Sequence, residues 1–121
     1  MPSVRQRLGR YGETLAARYL ESKGFSLCAR NWRCPAGEID LIARDGDCLV
    51  FVEVRTRRKQ DFGTPEESIT AAKQAHLIAV AQTYVQEQGW DGDWRIDVVA
   101  IELERDGRVR RLAHLENAVM G

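Results

Sequence analysis

The chain has 121 residues, 18 basic and 18 acidic side chains, and no formal net charge; it is 44% hydrophobic and 30% charged. That size and balance fit one soluble domain spanning residues 1–121 with a real hydrophobic core, and they exclude low-complexity chains and strongly basic coat proteins. No apolar run approaches the roughly 18 residues that a membrane span needs, so no membrane association is expected.

The first predicted element is a helix from about Leu8 to Lys23, closed by Gly24. Leu8, Leu15, Tyr19 and Leu20 supply its apolar positions. Glu13 shares helical spacing with Ala16, Ala17 and Leu20, which sets a carboxylate beside the core-facing stripe. Periodicity alone favours a Glu13 that sits at the stripe's edge and reaches water. The stretch "FSLCARNWRC" then reads as a strand running into a loop.

Two strands follow, Glu38–Arg44 and Cys48–Thr56, joined at Asp45-Gly46. Asp-Gly between apolar runs predicts a two-residue type I′ hairpin. That register pairs Ile42 with Leu49, Asp40 with Phe51 and Glu38 with Glu53. One face then carries Ile39, Leu41, Val50, Val52 and Val54. The other carries Ile42, Leu49 and Phe51 near the turn, and Glu38, Asp40, Glu53 and Arg55 at the far end. A bulged three-residue loop would instead put Asp40 and Glu53 on opposite faces.

A second helix is expected from Thr64 as cap and Pro65 as first residue, with Glu67 completing a capping box, to Gln88 before Gly89. "WRIDVVAIEL" predicts a strand, and Asp106-Gly107 turns it into a last one, "VRRLAHL". The order α-β-β-β-α-β-β is that of an α/β protein with a mixed sheet flanked by helices.

Carboxylates gathered on a half-buried face need compensation. A hard cation such as Mg²⁺ is one source, and neutralisation by Arg33, Arg55 and Arg57 is the other; the pattern leaves both open. Zinc is not expected, because Cys28, Cys34 and Cys48 form no CxxC pair and the only histidines are His76 and His114. The odd, irregular cysteines and the absence of an apolar leader in "MPSVRQRLGRYGE" predict a cytoplasmic protein. Basic blocks at Arg5, Arg7 and Arg10 and at Arg55, Arg57, Arg58 and Lys59 are solvated surface or a path for phosphates.

"GEIDLIA" followed by "LVFVEVRTR" resembles the core of the YraN family, which is similar to Holliday-junction resolvases of the PD-(D/E)XK, restriction-endonuclease-like superfamily. "GRYGETLAARYLESKGF", "RNWRCPAGEIDLIA", "FGTPEESITAAK", "RIDVVAI" and "ENA" extend the likeness over nearly the whole chain. The resemblance implies a restriction-endonuclease-like core of helix, three-strand meander, helix and further strands. It implies a DNA endonuclease using Mg²⁺ or Mn²⁺, with Glu13, Asp40 and Glu53 as metal ligands and Asp40, Glu53 and Arg55 as catalytic residues. Arg57, Arg58 and Lys73 would contact nucleic acid. Branched or single-stranded DNA is the implied partner, and a homodimer would suit a symmetric junction.

One departure matters. Arg55 stands where the family motif has lysine, and arginine stays protonated. The alternative implied is therefore a nuclease-fold module that binds nucleic acid or a protein partner and has lost turnover.

Overall fold

The computed structural model describes residues 2–59 and 63–119. Helix α1 (Val4–Ser22) leads into strands β1 (Ser26–Cys34), β2 (Gly37–Asp45) and β3 (Cys48–Arg58). A short 3-10 turn (Pro65–Ser68) precedes helix α2 (Ala71–Gln88), and strands β4 (Trp94–Leu103) and β5 (Val109–Val119) complete the fold. The five strands form one mixed sheet in the order β1-β2-β3-β4-β5; only the β3–β4 seam is parallel. The mixed sheet is what the element order predicted, and the arrangement is the restriction-endonuclease-like core that the resemblance implied. No described helix is long and apolar enough to cross a membrane.

Each face of the sheet is covered by one helix. Ala16, Ala17 and Leu20 of α1 pack on Leu41, Ala43, Val50, Val52 and Ile101. Leu77, Val80 and Ala81 of α2 pack on Ile42, Leu49, Phe51, Ile96 and Val98. Small residues let α1 come close: a Cβ built at Gly12 would overlap the Thr56 hydroxyl of β3. That contact fixes where Glu13, the next residue, stands.

Several local expectations need correction. α1 begins four residues before Leu8, because Ser3 and Gln6 form a reciprocal capping box that satisfies its first donors. The stripe-based reading missed this, since the apolar positions start only at Leu8. The second helix does not begin at Pro65. Thr64 makes no side-chain cap, the chain leaves helical geometry at Ile69 (φ −91°, ψ 88°), and α2 starts afresh with Thr70 capping Lys73 N–H at 3.2 Å. Arg111 of β5 holds Glu66 at 2.7 and 3.1 Å, which ties the 3-10 turn to the sheet instead of to α2.

The hairpin turn also lies one residue later than expected. Asp45 pairs with Cys48, and Gly46 alone has positive φ (60°), the requirement of a type II′ turn with glycine first. Every partner shifts by two positions, so Ile42 faces Phe51 and not Leu49. A shift of two preserves the faces.

Beneath α1, Asp97 is fully buried and fully satisfied. Arg95 Nε donates to it at 2.9 Å, His114 Nε2 lies at 2.8 Å, and the Asn117 N–H donates at 2.8 Å. Lys23 Nζ stands 2.9 Å from His114 Nδ1. An ammonium can only donate, so His114 carries its proton on Nε2 and gives it to Asp97. Asn117, at φ 51°, forms a bulge around this carboxylate and lets β5 run on to Val119, past the expected end at Leu115. His114 is thus a buried link between α1, β4 and β5.

Replacing Asp97 with alanine leaves the Arg95 guanidinium with only its Asp45 contact at 3.2 Å, and leaves the Asn117 N–H and His114 without an acceptor. The expected loss is about 3–5 kcal/mol, read as a lower urea midpoint at constant slope. A loss below about 1 kcal/mol would show that Asp97 is not what joins β5 to the sheet.

Candidate active site at the strand fork

The β2–β3 ladder runs from Asp45↔Cys48 to Leu41↔Val52 and stops. Beyond it β2 stays with β1 as far as Cys34↔Gly37, while β3 stays with β4 as far as Arg58↔Leu103. The strands therefore part, and a cleft of about 790 Å³ occupies the fork. α1 borders it through Arg5, Leu8, Gly9 and Glu13, and the α2 side through Ser68 and Lys73. Asp40, Glu53 and the β3 run Val54–Arg58 form its walls.

Glu13, Asp40 and Glu53 thus share one cleft, brought there by α1, β2 and β3. One step past the last ladder pair, Asp40 stands level with Glu53, not diagonal to it. Its Oδ2 accepts the Val54 N–H at 2.8 Å, in place of the missing strand partner. Glu38 does not line the cleft; it pairs with Arg33 at 3.4 Å on the surface. Ile39, expected beside Leu41, packs instead on the α2 side with Ile42, so strict alternation fails across Asp40.

The electrostatics are those of crowded acids. Glu53 is only 3% exposed. Burial, the Asp40 charge and a hydrogen bond to Asp40 push its carboxyl up to about 8, against the pull of Lys73 and Arg55. Both cations meet the same oxygen: Arg55 Nη2 lies 3.1 Å and Lys73 Nζ 3.4 Å from Glu53 Oε2. Arg55 and Lys73 therefore both face Glu53, while Arg57 and Arg58 line the cleft further along β3. Burial first, then Asp40, raises the Glu13 carboxyl. Glu13 Oε1 is buried with no hydrogen-bond donor, and Arg30 Nη2 is 3.9 Å away.

Among the described residues no three His, Cys, Asp or Glu side chains stand close enough together to form a ready-made metal cage. The donor chemistry still suits a hard cation. All three groups offer carboxylate oxygens, and Glu13 Oε1 is an acceptor without a partner.

Asn31 is a site residue that sequence reasoning missed. Its neighbours pair as Arg30↔Leu41 and Trp32↔Ile39, which puts Asn31 opposite Asp40 in left-handed backbone (φ 53°). Its side-chain amide favours the charged Glu13 carboxylate and so acts against the rise that burial and Asp40 cause. The available signal was an asparagine inside a strand-like run, since asparagine tolerates positive φ better than most residues. Arg5, from the N-terminal basic block, and Ser68 also line the cleft; nothing in the spacing marks Ser68.

The raised Glu53 pKa makes stability depend on pH. A carboxyl that holds its proton more tightly when folded carries no penalty below its ordinary value of 4.5, and the full penalty above about 8. Glu13 acts with the same sign. Glu66, lowered by Arg111, acts with the opposite sign but only at the acid end. The metal-free protein is expected to lose thermal stability as pH rises through this window, and Glu53→Gln to remove most of the slope. Melting curves at several pH values measure both; a flat native profile would rule out a protonated Glu53.

The profile of the uncharacterised protein family UPF0102 matches residues 12–101, which include Glu13, Asp40, Glu53, Arg55 and Lys73. A UPF0102 protein of Pelotomaculum thermopropionicum is 50% identical over 119 residues, 98% of this chain and 99% of its own. One of Roseiflexus castenholzii is 50% identical over 122 residues, 98% of each chain. One of a Nocardioides species is 52% identical over 106 residues, 87% of this chain and 86% of its own. With the profile covering the cleft-lining core and relatives matching nearly end to end, the chain belongs to the UPF0102 family, the YraN family that its motifs resemble.

Proposed function

We propose that this protein is a metal-dependent endonuclease acting on DNA, of the resolvase-like kind. The observation that carries the reading is the fork itself: Glu13, Asp40 and Glu53 converge there from three elements, and Arg5, Arg55, Arg57, Arg58 and Lys73 line the same cleft. Acids at the centre and cations around them form a surface for a phosphodiester backbone beside a cation site.

Glu13, Asp40 and Glu53 would hold Mg²⁺ or Mn²⁺. Such an ion supplies a more acidic water and a polarised phosphate. Asp40 and Glu53 accept the proton that the attacking water loses. Arg55 stabilises charge gathering on the phosphate oxygens, and Arg57, Arg58 and Lys73 position the backbone. Branched or single-stranded DNA is the substrate class favoured, and a two-fold dimer in the cytoplasm would match a symmetric junction.

A second reading is favoured by one residue. Arg55 cannot give up its proton, so a protein that binds nucleic acid without cutting it is the alternative.

Incubating a labelled four-way junction and a labelled single strand with Mn²⁺, Mg²⁺ or EDTA separates the readings. The nuclease reading expects cutting that EDTA abolishes. Binding without cutting under all conditions selects the alternative. Asp40→Asn is expected to reduce cleavage at least about 100-fold and to weaken Mn²⁺ binding. The fold should survive, because the amide oxygen still accepts the Val54 N–H. Unfolding of Asp40→Asn would instead mark Asp40 as structural.

A further inference from the structure

Glu53 Oε2 is shared by two cations of different chemistry. Arg55 extends from the same strand as Glu53, with a planar guanidinium whose Nε is buried and without a partner. Lys73 reaches the same oxygen from the first turn of α2, and its side chain is about a third exposed to the cleft. A single carboxylate calls for at most one counter-charge, so at least one of the two cations is available for another task.

Arginine is the poorer choice for that task. Its fork is rigid, and it stays charged throughout. The lysine ammonium is compact, has three donors that rotate, and sits on a flexible stem. From 3.4 Å it can leave Glu53 for an adjacent oxygen without any backbone movement.

We propose that Lys73 is a catalytic residue of this site. Its ammonium donates to the attacking water and the scissile phosphate, taking over the direct phosphate contact from Arg55, which remains the counter-ion of Glu53. The inference rests on the nuclease reading and deepens it, because it removes the objection that Arg55 raises. In the step, the water oxygen forms a bond to phosphorus and its proton passes to the Asp40–Glu53 pair. The bond from phosphorus to the leaving sugar oxygen breaks, and that oxygen takes a proton from solvent. The carboxylate pair returns its proton to solvent, and Lys73 is an ammonium before and after.

The test compares native protein, Lys73→Met, Lys73→Arg and the double variant Lys73→Met/Arg55→Lys. Cleavage of labelled DNA with Mn²⁺ is measured beside Mn²⁺ affinity by titration calorimetry. Lys73→Met is expected to slow cleavage about 100-fold or more. Its Mn²⁺ affinity should stay level or rise, because a competitor for Glu53 has gone. Lys73→Arg should remain slow, and the double variant should recover at least about tenfold over Lys73→Met.

Native-rate cleavage by Lys73→Met or Lys73→Arg overturns the inference and leaves the nuclease reading intact. So does a joint loss of Mn²⁺ binding and cleavage in Lys73→Met, which would mark Lys73 as a builder of the site. Failure of the double variant to recover also overturns it. If the native protein cuts nothing with any metal, the inference and the nuclease reading fall together.

Discussion

Two neighbouring strands that pair at one end and part at the other create the space that this protein is organised around. Where β2 and β3 remain paired, both faces are apolar and each is sealed by a helix. Past Leu41↔Val52 the backbone groups of the two strands no longer satisfy one another. Side chains take over: the Asp40 carboxylate accepts the Val54 N–H, and Glu53 leans on Asp40, Arg55 and Lys73. Polar groups at a fork must find such partners, because burial without them is costly. Acids and cations in the cleft are therefore a consequence of splitting the sheet as well as a resource for chemistry.

The molecule holds two sets of buried acids, and they differ in a useful way. Asp97 has its hydrogen bonds complete, from Arg95, His114 and Asn117. Glu53 is held against another carboxylate, and Glu13 has an oxygen with no donor. The first arrangement lowers energy by closing every valence and fastens β4 and β5 to the end of α1. The second is held in place by the surrounding fold and leaves unmet demand for positive charge. That difference, more than burial itself, separates an acid that builds from an acid that can bind.

The hairpin faces were legible in the sequence even though its register was not. Alternation of apolar and acidic residues along β2 and β3 defines two sides, and a two-residue slip leaves every residue on its own side. What alternation cannot show is where a ladder ends, so the fork and the displaced Ile39 stayed hidden. Glu13 was placed beside the stripe correctly, but its depth depends on Gly12 touching Thr56, a contact between distant segments. The break at Ile69 is of the same kind: local spacing read Thr64-Pro65 as a helix start, and Arg111, 45 positions after Glu66, holds that turn to the sheet. Asp97 lies in "RIDVVAI" as one acid among apolar residues, and its partners are Arg95 two positions before it and His114 and Asn117 of β5. Contacts made across the chain decide these points, and residue spacing carries little trace of them.

The single parallel seam has a consequence for how the chain acquires its structure. β1, β2 and β3 are joined by short turns and can zip together locally, as can β4 with β5. β3 and β4 meet only through the α2 crossover, with each pair about 45 positions apart, from Leu49↔Trp94 to Arg58↔Leu103. Closing a loop of that length must precede any gain from the pairing, so the seam sets the pace of folding. Until it forms, two preassembled β units each carry an open inner edge of the kind that recruits other chains. Glu53, Arg55 and Arg57 lie on one of those edges, so charge on β3 opposes premature association in the interval before β4 arrives.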